Sequence, residues 1–211
     1  EIASMQDGAD TDVDWYGAAG TGRIIINVID NSGVANYEYS LGTTAGEKDV
    51  LNWYLGTDSV GVFDLSELVE GPEYFASARV TDRVGFTSEV TTADGFKMDY
   101  TVPVAGTVSV LAPFQSDTTS ITYTWSGFSD NLSGIDHYEV SIGTGEETTN
   151  VLPRTNTESL DSVTVKDLNL GNNNIYIGTI YAIDGVGNEI SAKSSSITID
   201  LVPPTVGTIA E

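Results

Sequence analysis

The heptapeptide YEYSLGT at residues 37–43 returns as YEVSIGT at residues 138–144, 101 positions further along the chain. In both copies apolar and polar residues alternate up to the glycine. Successive side chains of a β-strand point to opposite faces, so a period of two predicts a strand that is buried on one face. The chain therefore contains one half-buried strand in two copies.

The repetition extends outward from this strand in both directions. Residues 80–85 match residues 182–187, and residues 99–103 match residues 200–204, at almost the same offset. The sequence PVAGTV opens the second copy, and PTVGTI follows in register near the end of the chain. Such self-similarity is typical of tandem arrays. We predict three segments: a first repeat over residues 1–101, a second over residues 102–203, and the truncated start of a third over residues 204–211.

Five β-rich runs recur in each repeat and are separated by Gly, Asn, Asp and Ser. They cover residues 24–29, 37–43, 59–63, 74–80 and 86–98 in the first repeat, and residues 121–125, 138–144, 162–165, 176–182 and 190–199 in the second. No segment has helical spacing over a useful length. The sequence predicts an all-β protein of two tandem antiparallel β-sandwich domains, with about seven strands in each.

The composition excludes several classes of protein. The chain of 211 residues carries 31 acidic and 8 basic side chains, for a formal net charge of −23, and it has no cysteine. Nucleic acids and anionic membrane surfaces need basic patches, so neither is an expected partner. Disulfides and thiolate chemistry are excluded. No apolar run is long enough for membrane insertion, and residues 1–5 do not resemble a signal peptide, so we expect any signal to lie outside this stretch.

Further motifs recur at fixed places around the repeated strand. They are SGI at residues 133–135, Tyr176, Ala182, Asp184, GN at residues 187–188, Asp200 and Pro204, with the acidic stretch at residues 7–15 ahead of the first copy. Together they resemble the immunoglobulin-like or fibronectin type III-like tandem repeats of bacterial secreted and cell-surface proteins, over nearly the whole chain. The resemblance implies an extracellular or cell-surface location, neighbouring repeats as partners, and a non-catalytic role as a spacer or adhesive stalk.

Acidic and amide side chains at the turns suggest a calcium site. In a sandwich of this topology, the loops after the second and sixth strands lie at the same end, near the point where the chain enters. The candidate ligands are Asp130 and Asn131 in one loop, Asp184 and Asn188 in the other, and the linker residue Asp99. Their oxygens suit Ca²⁺, which takes six to eight such ligands. An ion at the domain junction would stiffen the joint.

The alternative explanation of the same residues is purely structural. Asp and Asn at the start of a turn hydrogen-bond to their own backbone, and a following Gly supplies the bend. The first copy departs from the repeat pattern at Arg83 and Phe86, so we expect the second copy to be the better ion site. The run DTDVD at residues 10–14 lacks the Gly and Glu of an EF-hand loop, and an acidic surface loop is expected there.

Aromatic residues offer a second type of candidate site. Trp53 and Tyr54 are candidates for a glycan-binding platform, with packing against the sheet as the alternative. Trp125 lies on a predicted strand and is expected in the core, whereas Tyr74 and Tyr176 are expected to anchor the start of the sixth strand.

Catalysis has no support in the sequence. The only histidine is His137, for which we expect a surface position, and no nucleophile elbow or phosphate-binding glycine loop is present. We therefore expect no enzyme. The favoured interpretation is a semi-rigid stalk of spacer repeats in a large bacterial surface or secreted protein. The alternative is a module that binds carbohydrate or a cell-surface protein, either alone or as an accessory to a secreted enzyme.

Overall fold

A computed structural model describes residues 1–8, 11–17, 21–145, 147–157 and 161–207 of the chain, together with the backbone of Glu158. Every regular element among them is a β-strand. The chain forms two compact units, Glu1–Tyr100 and Thr101–Glu211. Within the described ranges, no helix has the length and apolar character needed to cross a bilayer. Residues 208–211, in the predicted third repeat, lie outside the described part, so that repeat stays a prediction.

The first unit contains nine strands in two sheets. They are β1 (Ile2–Asp7), β2 (Trp15–Tyr16), β3 (Thr21–Val28), β4 (Val34–Gly42), β5 (Leu51–Gly56), β6 (Val60–Asp64), β7 (Glu73–Asp82), β8 (Thr91–Thr92) and β9 (Phe96–Met98). One sheet has the order β1-β3-β6, and the other has the order β2-β9-β7-β4-β5, with β8 also paired to β7. The short strands β2 and β9 are parallel, and the other pairs are antiparallel.

The second unit repeats this arrangement. Its strands are β10 (Thr107–Val110), β11 (Phe114–Gln115), β12 (Ile121–Ser126), β13 (Ile135–Gly143), β14 (Leu152–Glu158), β15 (Ser162–Val165), β16 (Ile175–Asp184), β17 (Glu189–Lys193) and β18 (Ile197–Ile199). The sheets have the orders β10-β12-β15 and β11-β18-β16-β13-β14, with β17 also paired to β16. The predicted fold class, two tandem all-β sandwiches, is confirmed.

The predicted strands differ from the observed ones mainly at the sheet edges. The closing run predicted over residues 86–98 is broken into β8 and β9, and the run over residues 190–199 is broken into β17 and β18. No run was predicted for the edge strands β5 and β14, or for the strands that open each unit. The strands β2 and β11 have two residues each and β5 is largely exposed, so they show little of the alternation that burial on one face imposes. The strand β10 does alternate, over four residues.

The repeated heptapeptide lies in β4 and in β13, at the centre of the larger sheet of each unit. Tyr39 and Leu41 are fully buried, and they face the buried Ala76 and Ala78 of β7. The intervening Ser40 is also fully buried, so the end of the strand is covered on both faces. This double burial goes beyond the half-buried strand that the alternation predicts.

The glycine and threonine of the heptapeptide hold the loop that follows. A Cβ at Gly42 would lie 2.5 Å from the carbonyl oxygen of Glu47, so the loop can fold back only against a glycine. The backbone and hydroxyl of Thr43 then donate to the carboxylate of Asp49 at 2.9 and 2.7 Å. In the second unit Asn150 takes the place of Asp49: its Oδ1 accepts from the Thr144 amide at 2.9 Å, and its side-chain nitrogen donates to the Thr144 hydroxyl at 2.7 Å. The motif is therefore repeated because it forms the same loop twice.

A tyrosine hydroxyl fastens the start of β7 and of β16. The Tyr74 hydroxyl donates to the carbonyl oxygen of Val69 and accepts from its amide, at 3.1 and 3.0 Å. The Tyr176 hydroxyl accepts from the amide of Gly171 at 2.8 Å, again five residues upstream. This is the tyrosine corner of sandwich folds, and it confirms the anchoring role predicted for both residues.

We expect Tyr74→Phe and Tyr176→Phe each to lower the free energy of unfolding of its own unit by about 1–3 kcal/mol, because backbone groups lose their partner in a part-buried site. Urea denaturation of the whole chain measures the change. Tyr37→Phe is the matched control, since the Tyr37 hydroxyl makes no hydrogen bond within the described residues. Equal losses in control and variants would contradict the role of the hydroxyl.

Candidate functional site

The turns that follow β3 and β12 are closed by an aspartate at their start. Asp30 Oδ1 accepts from the amide and hydroxyl of Ser32, both at 2.8 Å, and these bonds lower the pKa of Asp30. Asp130 Oδ1 accepts from the amides of Leu132 and Gly134 at 2.8 and 3.0 Å. Gly134 has φ of 75°, a value that favours glycine. Both aspartates therefore make the turn hydrogen bonds that the structural explanation predicts, and an ion at Asp130 stays a prediction.

The turn between β16 and β17 has the same construction. Asp184 is 2% exposed, and its Oδ1 accepts from the amides of Val186 and Asn188 at 3.0 and 2.8 Å. The side-chain nitrogen of Asn188 donates to Asp184 Oδ2 at 2.8 Å and to the carbonyl oxygen of Thr101 at 3.3 Å. Asn188 thus ties this turn to the first residue of the second unit.

Two of the predicted calcium ligands are brought together within the second unit. A carboxylate oxygen of Asp130 lies within 4.8 Å of one from Asp184. Asn188 is bonded to Asp184, whereas Asn131 is exposed in the turn beside Asp130. Asp99 belongs to the end of the first unit, where it is fully buried and its amide donates to the carbonyl oxygen of Tyr16 at 2.9 Å.

The turn that follows β7 in the first unit keeps the aspartate of its counterpart but lacks the asparagine. Asp82 Oδ1 accepts from the amides of Val84 and Phe86, as Asp184 does in the second unit. Phe86 stands where Asn188 stands in the second unit, and it has no side-chain group to bond the carboxylate. Within the described residues, neither Asp30 nor Asp82 belongs to a group of three acidic side chains close enough to share an ion.

A second acidic cluster was not among the sequence candidates. Asp7, Asp12 and Asp94 each place a carboxylate oxygen within 4.8 Å of the others. Burial is the main cause that raises the pKa of Asp7 to about 7, and the nearby Asp12 and Asp94 carboxyls add to it. The Val13 amide opposes the shift, although its geometry falls outside that of a hydrogen bond. The one available signal was an aspartate that closes a strand. Asp10 of the acidic run lies outside the described residues.

The aromatic candidates of the first unit lie in the edge strand β5 and are half-buried. The Tyr54 ring packs against Phe63, and its hydroxyl bonds to the backbone of Val62 at 2.8 and 3.0 Å. The Arg79 guanidinium covers the Trp53 ring at 4.6 Å from the centroid. Arg79 also forms an ion pair of 2.8 Å with Glu38. Both aromatic side chains therefore have packing roles, and a glycan-binding role for them stays a prediction.

The second unit contains the same cation–aromatic pair with its partners exchanged. Strand register sets Arg154 in β14 at the place of Trp53 in β5, and Tyr181 in β16 at the place of Arg79 in β7. The Arg154 guanidinium lies 4.0 Å from the centroid of the Tyr181 ring and forms an ion pair with Glu139. The contact recurs with the cation and the aromatic ring exchanged between the two strands, so it is a feature of the same sheet face in both modules.

The remaining candidates agree with the expectations in part. Trp125 lies in the core of the second unit, as predicted. The His137 side chain is only 25% exposed, and its Nδ1 lies 2.7 Å from the carboxylate of Asp136. The surface position predicted for His137 is therefore only partly correct.

No protein-family model matches the chain, and no curated protein matches it either. Solved structures do match. Fibronectin(III)-like modules of CbhA from Clostridium thermocellum align with a TM-score of 0.52 and 14% identity, over 97% of this chain and 100% of that one. A Ca²⁺-stabilised adhesin with which an Antarctic bacterium binds ice aligns with a TM-score of 0.50 and 18% identity, over 94% of this chain. The chain spans 49% of the length of that structure.

Chicken CNTN1 FN1–FN3 domains align with a TM-score of 0.45 and 14% identity, over 87% of this chain and 69% of that one, which is too low a score to support an argument. By fold, the chain consists of two tandem fibronectin type III-like modules, in agreement with the resemblance in the sequence.

The cation–aromatic contact can be measured with a double-mutant cycle. We expect Trp53→Ala and Arg79→Ala to show a coupling energy of about 0.5–1 kcal/mol or more in urea denaturation, since a guanidinium contributes that much over an exposed indole ring and the Trp53 ring is half-buried. The cycle Leu55→Ala with Arg79→Ala is the control, because Leu55 is an exposed residue of the same strand. Additive effects in the first cycle would show that the contact is energetically neutral.

Proposed function

We propose that the chain is a pair of non-catalytic structural modules from a bacterial secreted or cell-surface protein, where it extends or presents neighbouring modules. We further propose that Ca²⁺ stiffens the joint between the modules. Its ligands are Asp99, Asp130, Asn131, Asp184 and Asn188.

The observation that carries the proposal is the convergence of Asp130 and Asp184 in the second unit. Two carboxylates within 4.8 Å repel each other unless a proton or a cation lies between them. Asp184 is nearly fully buried, where the repulsion is poorly screened. The amides that bond to each Oδ1, and the Asn188 side chain that bonds to Asp184 Oδ2, carry no net charge, so a cation is the natural counter-charge for the pair.

The sequence order supports Asp99 as a third acidic ligand. It stands two residues before Thr101, whose carbonyl oxygen accepts from the Asn188 side chain. The Asn188 side chain also donates to Asp184, so it lies beside the carboxylates of the proposed site. Three carboxylates, an amide and one or more waters satisfy the oxygen coordination of Ca²⁺.

The comparisons support the same assignment of role. A Ca²⁺-stabilised bacterial adhesin shares the fold over 94% of this chain. The fold is that of modules found in tandem, which agrees with a non-enzymatic role. A formal net charge of −23 suits a protein exposed to salt and divalent cations outside the cell.

The test compares thermal unfolding of the whole chain in CaCl₂ with that in chelator. We expect Ca²⁺ to raise the melting temperature of the second unit, because a ligand at a hundred times its dissociation constant stabilises by about 2.7 kcal/mol. Asp184→Asn and Asp130→Asn should each remove that gain. Glu147→Gln, which removes an exposed charge from the same unit, is the matched control and should keep it. A second-unit gain that survives Asp184→Asn would contradict the junction site.

A second candidate function is carbohydrate binding by an accessory module of a secreted enzyme. Trp53 and Tyr54 favour it, because they lie in an edge strand and Trp53 has no aromatic counterpart in the second unit. We expect Trp53→Ala to abolish any binding on a glycan array, whereas Trp15→Ala, in the same unit, should retain it. Array binding that is unchanged by Trp53→Ala would reject Trp53 as the glycan platform.

A further inference from the structure

The chain passes from one sheet of the first unit to the other between β1 and β2. Asp7 is the last residue of β1 and lies opposite Ile24 of β3 in the smaller sheet. Asp12 lies in the connecting loop, and Asp94 lies between β8 and β9 of the larger sheet. Gly8 has φ of 102° and begins this connection, so the loop bends back at once. Three separate segments thus bring their carboxylates to one place.

Asp7 is the unusual member of this cluster. It is 1% exposed, and neither of its carboxylate oxygens has a hydrogen-bond partner among the described residues. The buried aspartate Asp184, by contrast, accepts two backbone amides and one side-chain amide. A buried carboxylate without donors has a high cost in free energy unless a charge of opposite sign compensates it.

The nearby basic residue does not provide that charge. Lys97 follows Asp94 on β9, and its ammonium group lies 3.7 Å from Glu73 and 5.8 Å from the centroid of the Trp15 ring. The partners of Asp7 are instead two more carboxylates, of Asp12 and Asp94, both of which are exposed. The cluster therefore gathers three acidic groups around one buried, unpartnered member.

We propose that Asp7, Asp12 and Asp94 form a Ca²⁺ site inside the first unit, separate from the junction and independent of it. Carboxylate oxygens from loops and strand ends are the ligands that this ion takes, in flexible geometry and with water completing the shell. The exposed positions of Asp12 and Asp94 leave one side of the site open to water. The ion links the smaller sheet, through Asp7, to the connecting loop and the larger sheet, through Asp12 and Asp94.

The second unit provides an internal comparison. Val110 lies opposite Tyr123 as Asp7 lies opposite Ile24, and Ser195 precedes β18 by the same distance as Asp94 precedes β9. The connection between β10 and β11 has three residues, whereas that between β1 and β2 has seven. The second unit has the same fold without these ligands, so the cluster is not a requirement of the fold.

A proton shared between Asp7 and Asp12 is the competing explanation of the buried carboxylate. It predicts no effect of Ca²⁺ on the first unit at any concentration. The two explanations therefore differ in a direct binding measurement.

The experiment titrates CaCl₂ into the whole, chelator-treated chain at pH 8. Asp184→Asn is used as the background, so that loss of the junction site and loss of this site are distinguishable. Isothermal titration calorimetry gives the affinity, and amide NMR shifts of Gly8 and Gly95 report on the site, with Gly145 as a distant reference. We expect saturable shifts at Gly8 and Gly95. Asp7→Asn and Asp94→Asn should weaken the affinity by about tenfold or more.

Glu67→Gln is the matched control, because it removes an exposed acidic charge from the same unit. It should leave the affinity unchanged. Asp94→Asn keeps the test valid if Asp7→Asn fails to fold, since Asp94 is exposed. The proposal is overturned if the background chain shows no saturable Ca²⁺ shifts at Gly8 and Gly95, or if both variants bind as tightly as the control.

Discussion

The antiparallel pairing of two long central strands is the interaction on which each unit depends. β4 with β7, and β13 with β16, fix which residues face the smaller sheet, and the core follows from that register. The volumes are distributed differently in the two cores. In the first unit the Tyr39 ring fills the space beside Gly61, whereas in the second the Tyr123 ring fills the space beside Gly178. The same fold therefore accepts a tyrosine from either sheet when the residue opposite it in the other sheet is a glycine, because total volume is conserved.

The central strands could be predicted from the sequence because burial on one face produces an alternation of apolar and polar residues along them. The edge strand β14 could not, since its residues LPRTNTE are mostly polar and exposed and its pairing depends on β13. The break in the run over residues 190–199 could not be predicted from the sequence either. Between β17 and β18, the Ser194 hydroxyl accepts a hydrogen bond from the amide of Gly178. The local sequence pattern does not distinguish a serine that makes this bond from one that continues the strand.

The candidate sites show a similar division. Sequence reasoning located the aspartates at the turns because Asp followed by Gly has a local cause, and it aligned Asp130 with Asp184 through the repeat topology. It missed Asp7 and Asp94, which lie 87 residues apart and meet only because the chain crosses between sheets. An acidic composition does not predict which carboxylates lie close together in the folded chain. The burial of the Asp7 carboxylate without hydrogen-bond donors does indicate the cluster, but burial is known only from the folded chain.

The distinction between satisfied and unsatisfied carboxylates gives the many acidic residues different roles. Asp30 and Asp82 accept backbone amides, which compensate part of their charge locally. Asp7 has no such donors, so its buried carboxylate depends on another source of compensating charge. The two units consequently share a fold and a tyrosine corner but differ in where carboxylates remain uncompensated. If the proposed ions bind, cation dependence in a tandem array of this kind is set by a few side chains that the common fold leaves free to vary.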